Sequence, residues 1–308
     1  MTLRVTFLGT AAAVPTTERN PSGIFINRDG DCLLFDVGEG TQRQMMRFGT
    51  GFAVSDVFLT HLHGDHVLGL PGLIQTWDFT EREAPLHIHT PQGTARRLRT
   101  LLFALDDRPS YPIEITPVGA GETVAVKDGY RIDAFDVDHH TRAVGYALLE
   151  DDRKGRFNRE RAEALGVPVG PAFSQLHEGN PVELEDGTVV EPEEVVGQPR
   201  PGRRIVYTGD TRPTHRVVEV AREADLLIHD GTFTEERASR ARKTAHSTAR
   251  EAGEIAQQAN VNHLILTHIS SRYPGPADDH ATEAAGVFDG RVAVATDGFE
   301  LEVPFRDG

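Results

Sequence analysis

Cysteine is almost absent from this chain of 308 residues, which contains a single one, Cys32. An internal disulfide and a cysteine-rich zinc module are therefore excluded, and we expect a protein of the reducing cytoplasm. Long apolar runs are also missing: no stretch of about 18 apolar residues occurs, so no membrane span is predicted. The first residues lack the basic and apolar regions of a secretory signal. A hydrophobic content of 38% nevertheless indicates a folded protein.

Lysine is the second scarce residue. Only three of the 32 basic residues are lysines (Lys127, Lys154 and Lys243), and 47 Asp and Glu give a formal net charge of −15. Taken alone, this charge disfavours a polyanionic partner such as RNA, because like charges repel. The length is sufficient for one large domain or two small ones with a sizeable core.

Short strands and helices alternate along most of the chain, and a hairpin is predicted around Asp29-Gly30. The strands that matter below are predicted at 3–8, 56–60, 130–137, 204–208, 225–229 and 262–267. Helices are predicted at 93–105, 216–223, 247–260 and 281–288. We expect the α/β (α+β) class, with a four-layer αββα sandwich in which helices cover two mixed sheets.

The alternation fails between Glu150 and Gly202, where Gly, Pro and charged residues prevail and apolar periodicity is lost. Regular alternation resumes after this stretch. We therefore interpret residues 151–200 as a flexible arm that is inserted into, and protrudes from, a single domain spanning residues 1–308.

The densest group of metal-ligating side chains is His61-Leu62-His63-Gly64-Asp65-His66, directly after a predicted strand. Residues i and i+2 share one face of a strand, so His61 and His63 can bind the same ion. Gly64 permits a tight bend, beyond which Asp65 and His66 can reach a second ion. Imidazole nitrogens with carboxylate oxygens suit Zn²⁺, Mn²⁺ or Fe²⁺. The alternative is a solvated surface loop.

Three later strands end in further candidate ligands. Asp210 follows strand 204–208, with Gly209 allowing close approach, His268 follows strand 262–267, and Asp138-His139-His140 follows strand 130–137. Each alone is more often a turn residue or an ordinary histidine. Two ions about 3.5–4 Å apart share a bridging carboxylate, and these residues complete such a set.

Several other polar or reactive residues are interpreted as structural or as solvent-exposed, without a role in chemistry. These are His87 and His89 on one strand face, His177 and His280 in solvent, Arg96, Arg97 and Arg99 on a wet helix face, and Cys32 in the core.

The ligand pattern resembles the metallo-β-lactamase superfamily, whose signature is His-x-His-x-Asp-His with later His, Asp and His ligands. The resemblance narrows to the ribonuclease Z family of tRNA 3′-processing endonucleases and covers nearly the whole chain. The segments that carry it are 7–10 with 15–20 (PTTERN), 36–43 (DVGEGTQR), His139 with Gly145-Tyr146, 229–233 (HDGTF), 246–248 (HST) and 268–273. Thr17 stands where the family usually has lysine, and HDGT where it has His-Glu-Ala-Thr.

The inserted segment resembles the exosite arm of that family, through Gly155–Asn158 and Leu165–Pro171. This implies that the arm binds precursor tRNA and that the protein is a homodimer, in which one subunit grips the tRNA that the other cuts. The tip, Gln175–Gly179, contains none of the lysines that the family carries there. The resemblance implies substrate-binding roles for Arg19, Asn20, Gly170, Pro171 and Arg272.

The resemblance also implies two divalent ions per subunit, zinc in first place, with Mn²⁺ or Fe²⁺ as alternatives. His61, His63 and His139 would hold one ion, Asp65, His66 and His268 the other, and Asp210 would bridge them. A bridging hydroxide would attack phosphorus and release a tRNA with a 3′-hydroxyl end.

Three residues are expected to move or orient protons. Asp65 can accept a proton from the attacking water, His246 would donate one to the leaving alkoxide, and Asp230 would orient a histidine. The other interpretation of His246 is a polar residue at a helix start, since Ser247-Thr248 and Glu251 form a plausible capping arrangement.

Three other functions fit the sequence less well. A general phosphodiesterase or other small-molecule hydrolase of the superfamily would not need the arm. A di-iron redox protein would have glutamate in place of His63 and a flavin segment. A metal-free binding scaffold conflicts with intact ligands at all seven positions. The expected function is therefore tRNA 3′ processing, with no protein partner evident.

The charge of −15 agrees with an RNA substrate if the acid excess is an adaptation to concentrated salt. At about 1 M salt the Debye length is roughly 3 Å, so long-range repulsion largely vanishes. We predict that cleavage of precursor tRNA persists at, or requires, high salt, in contrast to the usual loss of RNA binding. Initial rates across a KCl series test this. An optimum at low salt with collapse above about 0.3 M would contradict it.

Overall fold

The computed structural model describes residues 1–104 and 108–306. In chain order its strands are β1 (Leu3–Gly9), β2 (Ala11–Ala12), β3 (Gly23–Arg28), β4 (Asp31–Phe35), β5 (Val54–Phe58), β6 (Leu86–Pro91), β7 (Ile113–Val118), β8 (Thr123–Lys127), β9 (Tyr130–Asp136), β10 (Val144–Glu150), β11 (Val182–Glu183), β12 (Val189–Val190), β13 (Arg204–Tyr207), β14 (Leu226–Asp230), β15 (His263–Thr267), β16 (Ile269–Ser270), β17 (Arg291–Val294) and β18 (Glu300–Glu302).

The helices lie mainly between these strands. They are α1 (Thr41–Phe48), α2 (Gly64–Val67), α3 (Leu70–Phe79), α4 (Ala95–Leu102), α5 (Arg159–Ala164), α6 (Pro171–His177), α7 (His215–Val220), α8 (Ala238–Thr244), α9 (Ala249–Ala259) and α10 (Asp278–Ala285), with 3-10 turns at Pro192–Glu194 and Glu235–Arg237. Within the described ranges, no helix is both long and apolar enough to cross a bilayer.

Two seven-stranded mixed sheets form the larger compact unit, residues 1–149 and 203–308. The first has the order β18-β1-β3-β4-β5-β6-β7, and the second has the order β17-β15-β14-β13-β10-β9-β8. From β4 to β7, and from β13 to β17, neighbouring strands run parallel. The carboxyl ends of the parallel strands of each sheet therefore share one edge, the usual place for a site.

Three apolar clusters account for the layers. The inner cluster joins side chains of both sheets, such as Phe35 and Phe58 of the first with Tyr146 and Tyr207 of the second. A second cluster packs the first sheet against α1, α3 and α4, and a third packs the second sheet against α7, α9 and α10. The four-layer sandwich predicted from the sequence is confirmed.

The predicted strands and helices are of the correct type, but several begin or end at other residues than predicted. The Asp29-Gly30 hairpin is confirmed, and both residues have positive φ, 49° and 102°, as a tight two-residue turn requires. Helix 93–105 is observed as α4, and its last predicted residue, Leu105, lies outside the described residues. Helix α8 was missed, because its buried face consists only of alanines and gives little apolar periodicity.

One histidine prediction was wrong. His280, expected in solvent, is fully buried, and its ring stands edge-on to Tyr273 with centroids 4.5 Å apart. His89 is buried on its strand, in agreement with a structural role, and its Nε2 lies 3.2 Å from the Asp56 carboxylate on the neighbouring strand. Spacing along one strand cannot reveal a partner that the sheet brings from another.

Residues 150–202 form the second compact unit. It contains α5, α6, the β11–β12 hairpin and its own apolar cluster, including Ala162, Val167 and Leu176. Its regular structure was missed because each element is shorter than two helical turns, too short to show a period. Cys32, by contrast, is buried as expected.

One of the three lysines joins the two sheets of the larger unit. Lys127 at the end of β8 donates to Asp56 of β5 over 2.7 Å, and Asp56 is 2% exposed. Burial would raise the pKa of Asp56, but the hydrogen bonds from His89 and Lys127 hold this pKa well below its usual range.

We predict that Lys127→Met lowers the free energy of unfolding by about 1–3 kcal/mol at pH 7, because the buried carboxylate loses its cation. A lowered folded-state pKa stabilises the protein above the unfolded value, near 4, and this contribution fades as the pH falls below it. The difference between the two proteins should therefore narrow below about pH 4. Urea unfolding of both proteins at constant ionic strength, repeated across this pH range, measures the difference in unfolding free energy.

The matched control is Arg131→Met on the adjacent strand, which removes a surface pair with Asp133 whose side chains are 48% and 29% exposed. Such a pair contributes at most about 1 kcal/mol. An equal loss of unfolding free energy in the two variants would show that the Lys127–Asp56 pair contributes no more than a surface pair.

Candidate metal centre

All seven predicted ligands lie within a few residues of strand ends, at one edge of the two sheets. His61, His63, Asp65 and His66 follow β5, His139 follows β9, Asp210 follows β13 and His268 follows β15. Gly64 does not form the tight bend expected of it. Instead it begins the helical turn α2, which carries Asp65 and His66 back towards His61.

Three imidazoles form the first group. His61 Nε2 and His63 Nδ1 are 2.9 Å apart, and His139 Nε2 lies 3.3 Å from His63 Nδ1. Asp210 Oδ2 lies 3.6 Å from His61 Nε2 and 4.0 Å from His139 Nε2. Four ligand atoms therefore surround one point.

The second group contains two imidazoles and a carboxylate. His66 Nε2 and His268 Nε2 are 3.4 Å apart, and Asp65 Oδ2 is 3.2 Å from His268 Nε2. The other oxygen of Asp210, Oδ1, lies 3.3 Å from each of these two nitrogens. Asp210 thus turns one oxygen towards each group.

Hydrogen bonds on the far side of the rings determine which nitrogen faces inward. His66 Nδ1 donates to Asp36 Oδ2 over 2.8 Å, and His139 Nδ1 donates to the Ala245 carbonyl over 3.0 Å. The Thr60 hydroxyl donates to Asp36, so it accepts from His61 Nδ1. These three rings therefore turn Nε2 to the centre, the nitrogen that would bind a metal.

His268 is held in the same way by Thr232. The Thr232 hydroxyl donates to Asp230 Oδ1 over 2.6 Å and accepts from His268 Nδ1 over 2.9 Å. The Nε2 atoms of His66 and His268 consequently both point to the centre, 3.4 Å apart.

This donor set fits divalent cations. Asp210 Oδ1 is buried and has no hydrogen bond within the described residues, and five inward ring nitrogens converge on two carboxylates. Nitrogen and carboxylate oxygen ligands of this kind suit Zn²⁺, Mn²⁺ and Fe²⁺. The arrangement of the side chains therefore favours positive charge at its centre.

The pKa shifts of four ligands favour the forms that bind a metal. Burial, together with neighbouring histidines, lowers the pKa of His61, His63 and His139, so these imidazoles stay neutral. Burial would raise the pKa of Asp210, but His268 and His66 hold it well below its usual range. The carboxylate is therefore ionised. His66 differs, because burial would lower its pKa but the carboxylates of Asp210 and Asp36 raise it well above its usual value.

A third grouping brings Asp230 and His246 close to Asp210 and His268. Asp230 has no oxygen left for a metal, however. Its Oδ1 accepts from Thr232, and its Oδ2 accepts from Thr211 N at 3.1 Å and from His246 Nδ1 at 2.9 Å. Asp230 therefore contacts only the Nδ1 side of His246, and within the described residues no hydrogen bond reaches the Nε2 of that ring.

The helix-capping role that the sequence offers as an alternative for His246 is filled by a nearby residue instead. Thr248 caps α9 and forms a capping box with Glu251. Glu251 also accepts from both terminal nitrogens of Arg212, at 2.8 and 2.5 Å, and Arg212 donates to the His246 carbonyl. Because Arg212 follows Asp210 closely, this pair ties the His246 loop to the metal ligands.

Comparison with known proteins identifies the family. The metallo-beta-lactamase superfamily model matches residues 16–248. Ribonuclease Z of Natronomonas pharaonis is 61% identical over 307 residues, which cover all of both chains, and ribonuclease Z of Myxococcus xanthus is 50% identical over 99% of both. This chain belongs to the ribonuclease Z family. The relatives from Natronomonas, Halobacterium salinarum and other halophilic archaea also agree with the salt adaptation expected from the charge.

Solved structures agree on the ribonuclease Z fold. Human tRNase Z, short form, superposes with a TM-score of 0.71 at 24% identity, covering 98% of this chain and 99% of that one. The metallo-beta-lactamase fold protein YhfI from Bacillus subtilis gives the same TM-score at 20% identity, over 98% and 100%. At these identities the likeness concerns the fold alone.

The residues predicted to bind the ribonuclease Z substrate are scattered. Arg19 is 7% exposed and donates inward to Thr10 and the Ala295 carbonyl, so its guanidinium supports the fold. Asn20 donates to the Glu39 carbonyl. Arg272 is exposed, and Gly170 and Pro171 lie in the second compact unit at the start of α6. The metal centre does not include any of these five.

Several supporting residues were missed by sequence reasoning. In the sequence, Asp36 stands out only as part of a family segment, and no pattern links Thr60, Thr232, Arg212 or Glu251 to the metal centre. A buried acid directly after a strand was the available signal for Asp36, which is 0% exposed. The others act through contacts made by distant segments, which no local pattern contains.

Proposed function

We propose that this protein is a metal-dependent endoribonuclease that removes the 3′ trailer from precursor tRNA and leaves a 3′-hydroxyl end. The observation that carries the proposal is the double ligand group that shares Asp210, in a chain that matches ribonuclease Z relatives over their whole length. A small-molecule hydrolase is not favoured, because those relatives match over the full chain. We place the reaction in the cytoplasm, where a precursor tRNA without its mature end is present.

We propose two ions, zinc in first place and Mn²⁺ or Fe²⁺ as alternatives. One would be held by His61, His63 and His139, the other by Asp65, His66 and His268, with Asp210 between them. When bound, two such ions lower the pKa of a water and neutralise charge on a phosphate. This division follows the two groups of inward atoms and the opposite directions of the Asp210 oxygens.

The protein's own groups would manage the protons. Asp65 turns Oδ2 towards His268 and the Ala13 amide, 2.8 Å away, while Oδ1 has no hydrogen bond within residues 1–104 and 108–306. That free oxygen can accept a proton from the attacking water. Asp65 therefore serves as both ligand and base in this proposal.

His246 is the proposed acid. Burial opposes its charged form, but the Asp230 carboxylate raises the pKa of His246 to about 9, so the ring is protonated at neutral pH. Because Nδ1 is bonded to Asp230, Nε2 carries the proton that the leaving 3′-oxygen needs. Asp230 orients this ring and stabilises its charge.

We also propose that residues 151–200 are the arm that binds tRNA away from the cleavage point. The support is that residues 150–202 form a compact unit with their own apolar cluster. Gly170 has φ 140°, a value that strongly favours glycine, and Pro171 then begins α6. We assign Gly170 and Pro171 to the RNA-contacting part of this arm.

The experiment that tests the function uses a precursor tRNA with a 3′ trailer, with the 3′ end of the product mapped by sequencing. Cleavage at the trailer junction with a 3′-hydroxyl supports the proposal. A protein that hydrolyses a small phosphodiester but leaves the precursor intact would overturn it. Deletion of residues 151–200 should abolish precursor cleavage and spare the small substrate.

We predict that Asp65→Ala abolishes cleavage and reduces bound metal, because a ligand and a base are lost together. His246→Ala should slow cleavage by roughly 100-fold or more, the usual contribution of a positioned acid, with normal metal content. Single-turnover rates and metal analysis by mass spectrometry measure both effects and identify the metal. Loss of metal from His246→Ala would instead make His246 a ligand.

The homodimer is a further part of the proposal. The Gln42 side chain of α1 bonds Thr76 of α3, and Met46 and Phe79, about one turn from each, are 66% and 89% exposed. Such apolar exposure on adjoining helices suits a second copy of the chain. Light scattering should give twice 33.8 kDa for the native protein.

The double variant Met46→Glu, Phe79→Glu should give the mass of one chain, because charge disfavours burial in the contact. Val126→Glu, at a side chain 76% exposed on β8, is the control and should leave the mass unchanged. A single-chain mass for the native protein at micromolar concentration would contradict the dimer.

A further inference from the structure

The positive charge of this acidic chain is concentrated in two places. Only two stretches of seven residues hold four basic residues and no acidic one, 153–159 and 237–243. In the first, Arg159 is paired with Glu163 over 2.7 Å. The second contains α8, and it differs in having most of its charge unpaired.

Within the described residues, Arg240, Arg242 and Lys243 of α8 form no ion pair. The acids nearest in sequence are engaged elsewhere: Glu236 lies 3.4 Å from Arg237, and Glu235 accepts from the Thr248 hydroxyl. The helix buries Ala238 and Ala241 and exposes the three basic side chains. An exposed, unneutralised cationic face therefore remains.

Helix α8 is attached to the metal centre at its carboxyl end. His139 Nδ1, on a predicted ligand, donates to the Ala245 carbonyl, and His140 Nε2 donates to the Lys243 carbonyl, both over 3.0 Å. Ala245 then ends the helix with φ 53°, and the next residue is His246. The cationic face thus begins directly beside the groups that would hold and protonate the scissile phosphodiester.

We propose that α8 is a phosphate-binding surface, on which Arg240, Arg242 and Lys243 contact the RNA backbone next to the scissile bond. This inference rests on the proposed function, since it takes precursor tRNA as the ligand. The helix is about 10 Å long at 1.5 Å per residue. About three phosphates of one strand span that length.

The chemistry of the three side chains suits concentrated salt. Long-range attraction is screened within roughly 3 Å at about 1 M salt, so only direct contacts contribute. Guanidinium groups make forked, charge-assisted hydrogen bonds to phosphate, and two of the three residues are arginines. The net charge of −15 over the whole chain then does not prevent binding at this surface.

The test variant is the triple substitution Arg240→Gln, Arg242→Gln, Lys243→Gln, which keeps good helix formers and removes only charge. We expect kcat/KM for precursor tRNA to fall roughly 10- to 100-fold, mainly through KM. The slope of log kcat/KM against log salt should become shallower by about two, since each lost contact removes 0.7 to 0.9. Circular dichroism and metal content verify an intact protein.

The matched control is Arg96→Gln, Arg97→Gln, Arg99→Gln, on α4, which also carries three arginines and packs against the other sheet. This variant removes the same charge and should keep kcat/KM within about twofold, as expected for solvated surface charges away from a contact. Equal losses in both variants would show that net charge matters and α8 does not, which overturns the proposal.

A second measurement locates the contact. Phosphates on either side of the scissile bond are replaced one at a time by neutral methylphosphonates in the precursor. If α8 binds a given phosphate, its neutralisation lowers kcat/KM of the native protein but hardly affects the triple variant, because the contact is already lost. Independent, additive losses at every position would contradict the proposal.

Failure of the proposed function is distinguishable from failure of this surface. Binding of mature tRNA, measured by fluorescence anisotropy, does not require cleavage. If the native protein binds tRNA more tightly than the triple variant but never cleaves the precursor, the proposal for α8 is supported and the proposed function is contradicted. If both proteins cleave the precursor and bind tRNA equally well, the proposed function is supported and the proposal for α8 is contradicted. If the native protein neither cleaves nor binds, both are overturned.

Discussion

The buried carboxylate of Asp36 is the interaction on which the rest of the structure depends. Its two oxygens accept four hydrogen bonds of 2.8 Å, from the Thr60 amide and hydroxyl, from His66 and from Tyr207. Three of these donors belong to the first sheet and its loops, and Tyr207 belongs to β13 of the second. A fully buried acid is tolerated only when its charge is satisfied in this way. Asp36 therefore joins the sheets at the floor of the site and orients His66, and through Thr60 it also orients His61.

The ligand cluster crowds like groups together. The Nε2 atoms of His66 and His268 lie 3.4 Å apart, and one oxygen of Asp210 is buried without a hydrogen bond within the described residues. The far-side hydrogen bonds from Asp36, Thr60, Thr232 and Ala245 hold the rings in this arrangement nevertheless. The fold thus holds two adjoining groups of side chains that could bind divalent cations, and the Arg212–Glu251 pair places His246 beside them. Binding of metal and stability of this edge are consequently coupled.

The sequence predicted most of the centre and little of its support. His61, His63, Asp65 and His66 could be found because four ligands crowd into six residues after a strand, and His139, Asp210 and His268 because each follows a predicted strand. Thr232 and Arg212 act through partners 36 and 39 residues away, so no local pattern marks them. Arg19 matched a family segment, yet the fold turns it inward. The short elements of residues 150–202 and the alanine-faced α8 also lack the periodicity on which prediction rests.

The sequence by itself determined the layer architecture, the ligand types and the net charge, because alternation, composition and motif spacing are properties of the chain. Only the tertiary structure decided which oxygen of Asp210 faces which group, which histidine nitrogens face the centre, and which groups bond the two oxygens of Asp230. It also decided that the basic residues of α8 lie beside the centre, whereas Lys127 is used between the sheets. The physical reason is that hydrogen-bond direction and charge pairing are set by segments far apart in sequence, which meet only when the sheets pack.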